Sequence, residues 1–334
     1  MGFSLTRFAK YTWGVLLYNI LVILFGAFVR ASGSGAGCGA HWPLCNGVVI
    51  PRPQQIETVI EFTHRITSGI TLPLVILLVF WAWRLYPRRS PIRTSSLLVV
   101  VFTITEALVG AGLVLFQLVA DNDSVARAFS MMVHLVNTFL LVGAITITGW
   151  WASTKVPERL HFHGITGALL LIGALGILLL GASGAVTALG DTLYPSSSLA
   201  QGLRDDFAPG APFLIRLRVL HPGIAVSVGI YLALVTAWVR RSRFDPRLED
   251  ITLGLFVLYG LQIILGIINV ALLAPIWIQI VHLLFSNLVW IAFILMSTVI
   301  FSATAPAAAA APNHAVRLSD HEIHDRVNKA KEVR

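Results

Sequence analysis

Charge is scarce in this chain. Of 334 residues only 12% are Asp, Glu, Lys or Arg, while 56% are hydrophobic and the mean hydropathy is +0.80. So few charges cannot solvate the surface of a soluble globular domain, which excludes that class and implies a polytopic membrane protein. Acidic residues are scarcer than basic ones, 16 against 24. The resulting net charge of +8 would suit a nucleic-acid partner, but the cations are dealt out to alternate loops, so nucleic acid is excluded. Cysteine is rarest, with two residues, Cys38 and Cys45, in one short loop.

What is abundant is long apolar sequence. Eight stretches, near 12–29, 58–83, 96–119, 128–151, 164–188, 213–239, 251–272 and 276–301, each approach or exceed the ~20 residues that a helix needs to cross a bilayer. The seventh is the least distinct, because Pro275 and a very short turn separate it from the eighth. Seventeen Lys and Arg residues fall on one side of the array and seven on the other: Arg30, Arg52, Arg65, Arg127, Arg204, Arg216 and Arg218. The positive-inside rule then places both termini in the cytoplasm and the loops 30–57, 120–127 and 189–212 outside. A cleavable signal peptide at the first stretch would leave seven spans and break the repeat described below, so that stretch is expected to remain as a span.

The first outer loop holds both cysteines, in Gly37-Cys38-Gly39-Ala40-His41-Trp42-Pro43-Leu44-Cys45. On the oxidising side of a membrane a structural disulfide is the simplest reading. A redox-active pair, or a metal site completed by His41, stays open. Just beyond, Ile60-Glu61-Phe62-Thr63-His64-Arg65 opens the second span with an ionisable cluster, and such residues inside a membrane mark function by default. Glu61 and His64 are three residues apart, so on a helix they share a face.

His64 has three companions at matching depth, His134, His221 and His282, near the outer ends of the fourth, sixth and eighth stretches. An internal repeat relates them. A shift of 157 residues carries His64 onto His221, 156 carries Glu106 to Gly110 onto Gln262 to Gly266, and 148 carries His134 onto His282. The expected fold is therefore an all-α integral membrane protein of eight helices, arranged as two pseudo-two-fold-related four-helix bundles of parallel topology. The N-terminal bundle covers 1–151, a cytoplasmic linker 152–163, the C-terminal bundle 164–301 and a disordered cytoplasmic tail 302–334. His161, His163, His314, His321 and His324 fall in the linker and tail and read as solvated surface.

Paired imidazoles facing each other inside a helical bundle are a usual way to hold haem iron. Zinc asks for further Cys, His or carboxylate ligands, which the second half does not supply at that depth. Gly110, Gly112 and Gly266 would let a flat ring approach the backbone, or simply let helices pack. The 157-residue shift also sets Arg218 where the first half has Glu61. A cation beside a haem ligand suits a propionate. A carboxylate there does not, so the second half reads as the haem-holding copy and the first as the reactive one.

With these residues in view, Gly33-Ser34-Gly35-Ala36-Gly37-Cys38 with Trp42-Pro43-Leu44-Cys45, followed by Glu61-Phe62-Thr63-His64-Arg65, resembles the bacterial haem A synthase family. The likeness extends to about residue 301 through the eight spans, the repeat and the four histidines. It implies an enzyme that oxidises the C8 methyl of haem O to a formyl group, giving haem A for terminal oxidases. It further implies haem b on His221 and His282, substrate haem on His64 and His134, Glu61 as the essential carboxylate, and a disulfide between Cys38 and Cys45. The loop 189–212 lacks the second cysteine pair of some members, which rules out any mechanism that needs it. Implied partners are a haem O synthase upstream, cytochrome oxidase assembly factors downstream, an unidentified electron carrier and membrane lipid; a homo-oligomer is compatible with the sequence. The implied location is the bacterial plasma membrane, with the haem sites toward the outer face. The competing reading is a di-haem b cytochrome passing electrons between quinol and an outer acceptor. A transporter, suggested by the repeat alone, leaves the histidines unexplained.

Overall fold

A computed structural model describes residues 5–52, 55–154, 164–242 and 246–302. The expected tail, most of the linker, and His161, His163, His314, His321 and His324 lie outside the described residues. The described chain is helical: α1 (Arg7–Ala31), a 3-10 turn at Ser34–Ala36, α2 (Ile56–Leu85), α3 (Pro91–Leu115), α4 (Val125–Ser153), α5 (Gly164–Leu193), α6 (Leu199–Asp206), α7 (Phe213–Arg218), α8 (Leu220–Ser242), α9 (Pro246–Ala271) and α10 (Ile276–Ser302). With α7 and α8 taken as one span, eight helices are long and apolar enough to cross a membrane, as the sequence predicts.

Local chemistry sets the helix ends. Thr6, Ser90 and Ser124 each accept a backbone N–H of the first turn through their hydroxyls, and Pro91 stands at the first position of α3, where its missing N–H costs nothing. The sixth span covers the stretch expected over 213–239, with one interruption at Val219 that divides it into α7 and α8. Pro222 offers no N–H to the carbonyl of Arg218, which interrupts the hydrogen bonding two residues before His221, while Val219 keeps helical angles of −62° and −28°. The indistinct boundary of the seventh stretch is a tight turn in which Leu273 and Ala274 both take positive φ, 61° and 54°. The amide of Gln279 donates to the Ala274 carbonyl at 2.6 Å and secures it. The loop 189–212 carries an unanticipated short helix, α6.

In sequence order α1, α2, α3 and α4 pack around one another, and α5, α8, α9 and α10 form a second set joined to the first chiefly through α4, which packs on α5 and α10. Lipid tails are as apolar as leucine, so contact between spans rests on close packing and interhelical hydrogen bonds rather than on escape from water. The centre of α4 and α10 shows both: Phe139 and Trp290 stack at 5.7 Å, and Trp290 Nε1 donates to the Phe139 carbonyl at 2.5 Å. The two sets also share a detail. Tyr11 donates to the Leu74 carbonyl at 2.8 Å between α1 and α2, and Tyr231 to the Leu169 carbonyl at 2.9 Å between α8 and α5. Shifts of 158 and 157 residues put Leu169 in the place of Tyr11 and Tyr231 in that of Leu74, so the same cross-link recurs with donor and acceptor helices exchanged.

Candidate functional site

The loop between α1 and α2 folds onto the start of α2. Cys38 and Cys45 form a disulfide and both are buried, which settles the alternatives for this pair against a metal site with His41. Gly37 lies directly on the α2 backbone: a Cβ there would fall 2.4 Å from the Glu57 carbonyl. Thr58 Oγ1 donates to the Gly37 carbonyl at 2.7 Å. Below this contact Glu61 is only 3% exposed. Its Oε2 accepts the Cys38 N–H at 2.8 Å, and its Oε1 accepts Arg65 Nη2 at 2.5 Å and Nε at 3.1 Å. Arg65 Nη1 then donates to the carbonyls of His41 and Leu44, each at 2.6 Å. A buried carboxylate is costly unless paired and hydrogen-bonded, and here every donor that satisfies it also binds the disulfide loop or comes from it.

Each of the four histidines stands over a glycine of a neighbouring helix. A Cβ on Gly26 would meet His64 Cε1 at 3.0 Å, one on Gly184 would meet His221 Cε1 at 3.0 Å, one on Gly266 would meet His282 Cε1 at 3.2 Å, and one on Gly110 would lie 3.9 Å from His134 Nε2. The helix pairs are α1 with α2, α5 with α8, α9 with α10 and α3 with α4. Gly110 and Gly266 are thus part of the site, whereas Gly112 faces Phe116.

The ring nitrogens differ in their partners. His221 Nδ1 lies 2.9 Å from Ser183 Oγ, and His134 Nδ1 lies 3.0 Å from Glu106 Oε1. His282 Nε2 lies 3.1 Å from the Gln262 amide nitrogen. The Nδ1 atoms of His64 and His282 are buried without a hydrogen-bonding partner. His221 and His282 face each other with ring centroids 6.5 Å apart, a gap that one metal atom bonded to both rings at ~2 Å would span. His64 sits within electrostatic range of His134 and Glu106, edge-on to Phe25 at 5.6 Å. Among the described residues no three His, Cys, Asp or Glu side chains converge as ligands for a bare ion. Two imidazoles per site, some with unpartnered nitrogens, instead fit an iron whose macrocycle supplies the other four ligands.

Arg218 has surroundings other than those expected. Its Nε and Nη2 donate to Asp206 Oδ1 at 2.9 and 2.5 Å, and its Nη1 to Asp191 Oδ1 at 2.9 Å. The protein's own carboxylates, one of them carried in by α6, engage the guanidinium. Nearby, Arg30 at the end of α1 reaches across to the second set of helices, where Nη1 donates to the Ala188 carbonyl at 2.7 Å and Thr192 Oγ1 at 2.5 Å, and Nη2 to Gln279 Oε1 at 2.8 Å. Neither this clamp nor the contact between Glu106 and His134 was foreseen. The signal for Glu106 was present as a carboxylate midway along an apolar stretch.

Comparison with known proteins agrees with this architecture. A Thermus thermophilus protein named protoheme IX farnesyltransferase is 53% identical over 293 residues, covering 88% of this chain but 48% of that protein. The chain therefore spans about half the length of this curated relative. A heme A synthase of Bacillus cereus is 27% identical over 301 residues, 84% of this chain and 89% of the relative. A heme A synthase of Halalkalibacterium halodurans is 46% identical over 97 residues, 29% of this chain and 33% of the relative. A family model described as cytochrome oxidase assembly protein matches residues 9–294, from the first span into the last, and the chain belongs to that family.

Proposed function

We propose that this chain is a haem A synthase, a membrane oxidoreductase that converts the C8 methyl of haem O to a formyl group. The observation that carries the reading is the fourfold recurrence of an imidazole over a glycine, in two halves that differ in charge beside the first histidine, Glu61 against Arg218. The relatives named heme A synthase support it. In this reading the chain is two pseudo-two-fold-related bundles, 1–151 and 164–301. His64 and His134 hold the substrate haem, and His221 and His282 hold a resident haem b.

Haem iron supplies the oxidising chemistry when bound. The chain's own residues position and shield. The glycines let each imidazole come close to a neighbouring helix, and Ser183 and Glu106 lie beside Nδ1 of their rings, placed to orient them. Glu61 is the candidate catalytic carboxylate, placed to accept a proton or to stabilise positive charge at the methyl carbon. The disulfide loop, fastened by Glu61 and Arg65, roofs that carboxylate against water. Arg218 acts through Asp191 and Asp206 as the brace of the haem b half, and a propionate would share the guanidinium with them.

The charge distribution supports termini in the cytoplasm and haem sites near the outer face of a bacterial plasma membrane. Partners in this reading are a haem O synthase as supplier, an electron carrier and the cytochrome oxidase assembly machinery. A protein named protoheme IX farnesyltransferase includes a long stretch 53% identical to this chain, which supports a prenylating enzyme working beside it.

The matching setting of all four histidines also suits a di-haem b cytochrome. Extracting and separating the pigments of the purified protein decides between them. The synthase holds about one haem b per chain, lost in His221→Ala, together with substoichiometric haem O or haem A that depends on His64 and His134. Two permanent haem b per chain and no haem O or haem A would overturn the proposal.

A further inference from the structure

The N-terminal half holds a second carboxylate within a span, partly buried, that its counterpart lacks. Glu106, midway along α3, sets Oε1 3.0 Å from His134 Nδ1 on α4, at ion-pair distance with the ring not aligned as a donor. Thr138 Oγ1 donates to Oε1 and Asn137 Nδ2 to Oε2, both at 2.5 Å. The orientation of the Asn137 amide is itself determined: its Oδ1 accepts Thr105 Oγ1 at 2.6 Å, and its Nδ2 also reaches the Phe102 carbonyl at 2.9 Å. A carboxylate this deep in an apolar helix is expensive unless its partners are fixed. Here two donors on α4 aim it at one nitrogen of one ring.

The repeat places Gln262 where the first half has Glu106, and His282 where it has His134. The neutral amide of Gln262 approaches the other ring nitrogen, Nε2, at 3.1 Å, and its Oε1 is buried without a partner. The same shift replaces Asn137 by Phe285 and Thr138 by Ser286, whose hydroxyl turns back to the Leu283 carbonyl at 2.7 Å. The polar cradle thus exists in one copy only.

Resting on the reading of His134 as an iron ligand, we propose that Glu106 is a positioning residue that faces His134 Nδ1, takes its N–H when the ring turns Nε2 to the iron, and biases that iron toward its ferric state relative to the iron at His282. An acceptor on the far nitrogen fixes the tautomer and makes the imidazole a more basic ligand. A negative charge held in a low-dielectric interior favours the more positive oxidation state. Glu106 touches neither substrate nor reacting carbon and works only through His134. The two halves of the duplicated protein are therefore tuned apart, with a carboxylate behind one iron and an amide near the other.

The test is a spectroelectrochemical titration of the purified full-length protein carrying haem in both halves, comparing the parent with Glu106→Gln and Gln262→Glu. Glu106→Gln keeps the shape and retains haem, and the ferric preference of the His134-dependent haem falls about tenfold, an upward shift of roughly 59 mV for one electron. The haem at His221 and His282 keeps its potential. Gln262→Glu moves that second haem in the opposite direction and gives an independent reading should Glu106→Gln fail to fold. An unmoved potential with haem retained overturns the proposal, and so does an equal shift of both haems, the mark of a general structural effect. If the parent shows no haem signal that His134→Ala removes, the ligand assignment falls first and this inference with it.

Discussion

Cys38 donates its backbone N–H to Glu61 Oε2 at 2.8 Å. The disulfide loop and the buried carboxylate of α2 are therefore one unit, so the structural role of the carboxylate and the chemical role proposed for it fall on the same residue. Glu61→Gln separates them. The amide still accepts from Cys38 but carries no charge, so the variant keeps its loop and its haem b while conversion of haem O falls by about 100-fold or more. Haem analysis of membranes containing the variant checks this.

Arg65 joins that unit from the other side, with two nitrogens on Glu61 and one on the carbonyls of His41 and Leu44. Arg65→Ala leaves a buried carboxylate without its cation and frees the loop, at a cost of about 3–5 kcal/mol. We expect faster proteolysis within 38–45 and a lower melting temperature, whereas Arg204→Ala, at an exposed position, leaves both unchanged.

The glycine under each histidine gives a sharper test of the site than the histidines themselves. A Cβ on Gly184 would lie 3.0 Å from His221 Cε1, while one on Gly223 would meet nothing within 4 Å. Gly184→Ala therefore displaces the ring and lowers retention of haem b by about 10-fold or more, and Gly223→Ala does not. The ratio of the haem absorption band to protein absorption reads the difference.

Arg30 links α1 to α5 and α10 through three acceptors. Arg30→Ala strands those acceptors, and we expect thermal unfolding in detergent to show a loss of about 2–3 kcal/mol. A variant as stable as the parent would show that the two sets of helices do not depend on this clamp.

The spans and the four histidines were legible in the sequence because apolar length and ionisable residues at membrane depth are signals carried along a single dimension. The interruption at Val219 was legible too, in Pro222, and it lies within the single span expected over 213–239. The partners of Arg218 were not, since they depend on α6 turning Asp206 back toward the site. Arg30 bonds to residues 158 to 249 positions away, and Glu106 meets His134 across a turn whose geometry no local pattern encodes. Counted as loop charges, Arg30, Arg65, Arg127 and Arg218 were set among the outer cations; each in fact donates to acceptors within the protein, so their presence on that side reflects structure rather than topology.

The central claim is the conversion of haem O to haem A, and its most direct measurement follows haem composition by mass in a bacterium that makes haem O but lacks haem A, before and after this chain is expressed. The account predicts a new haem that has gained one oxygen and lost two hydrogens relative to haem O, absent when Glu61→Gln is expressed to the same level with haem b retained. Haem O left unchanged, or haem A formed by Glu61→Gln at the parent rate, would contradict it.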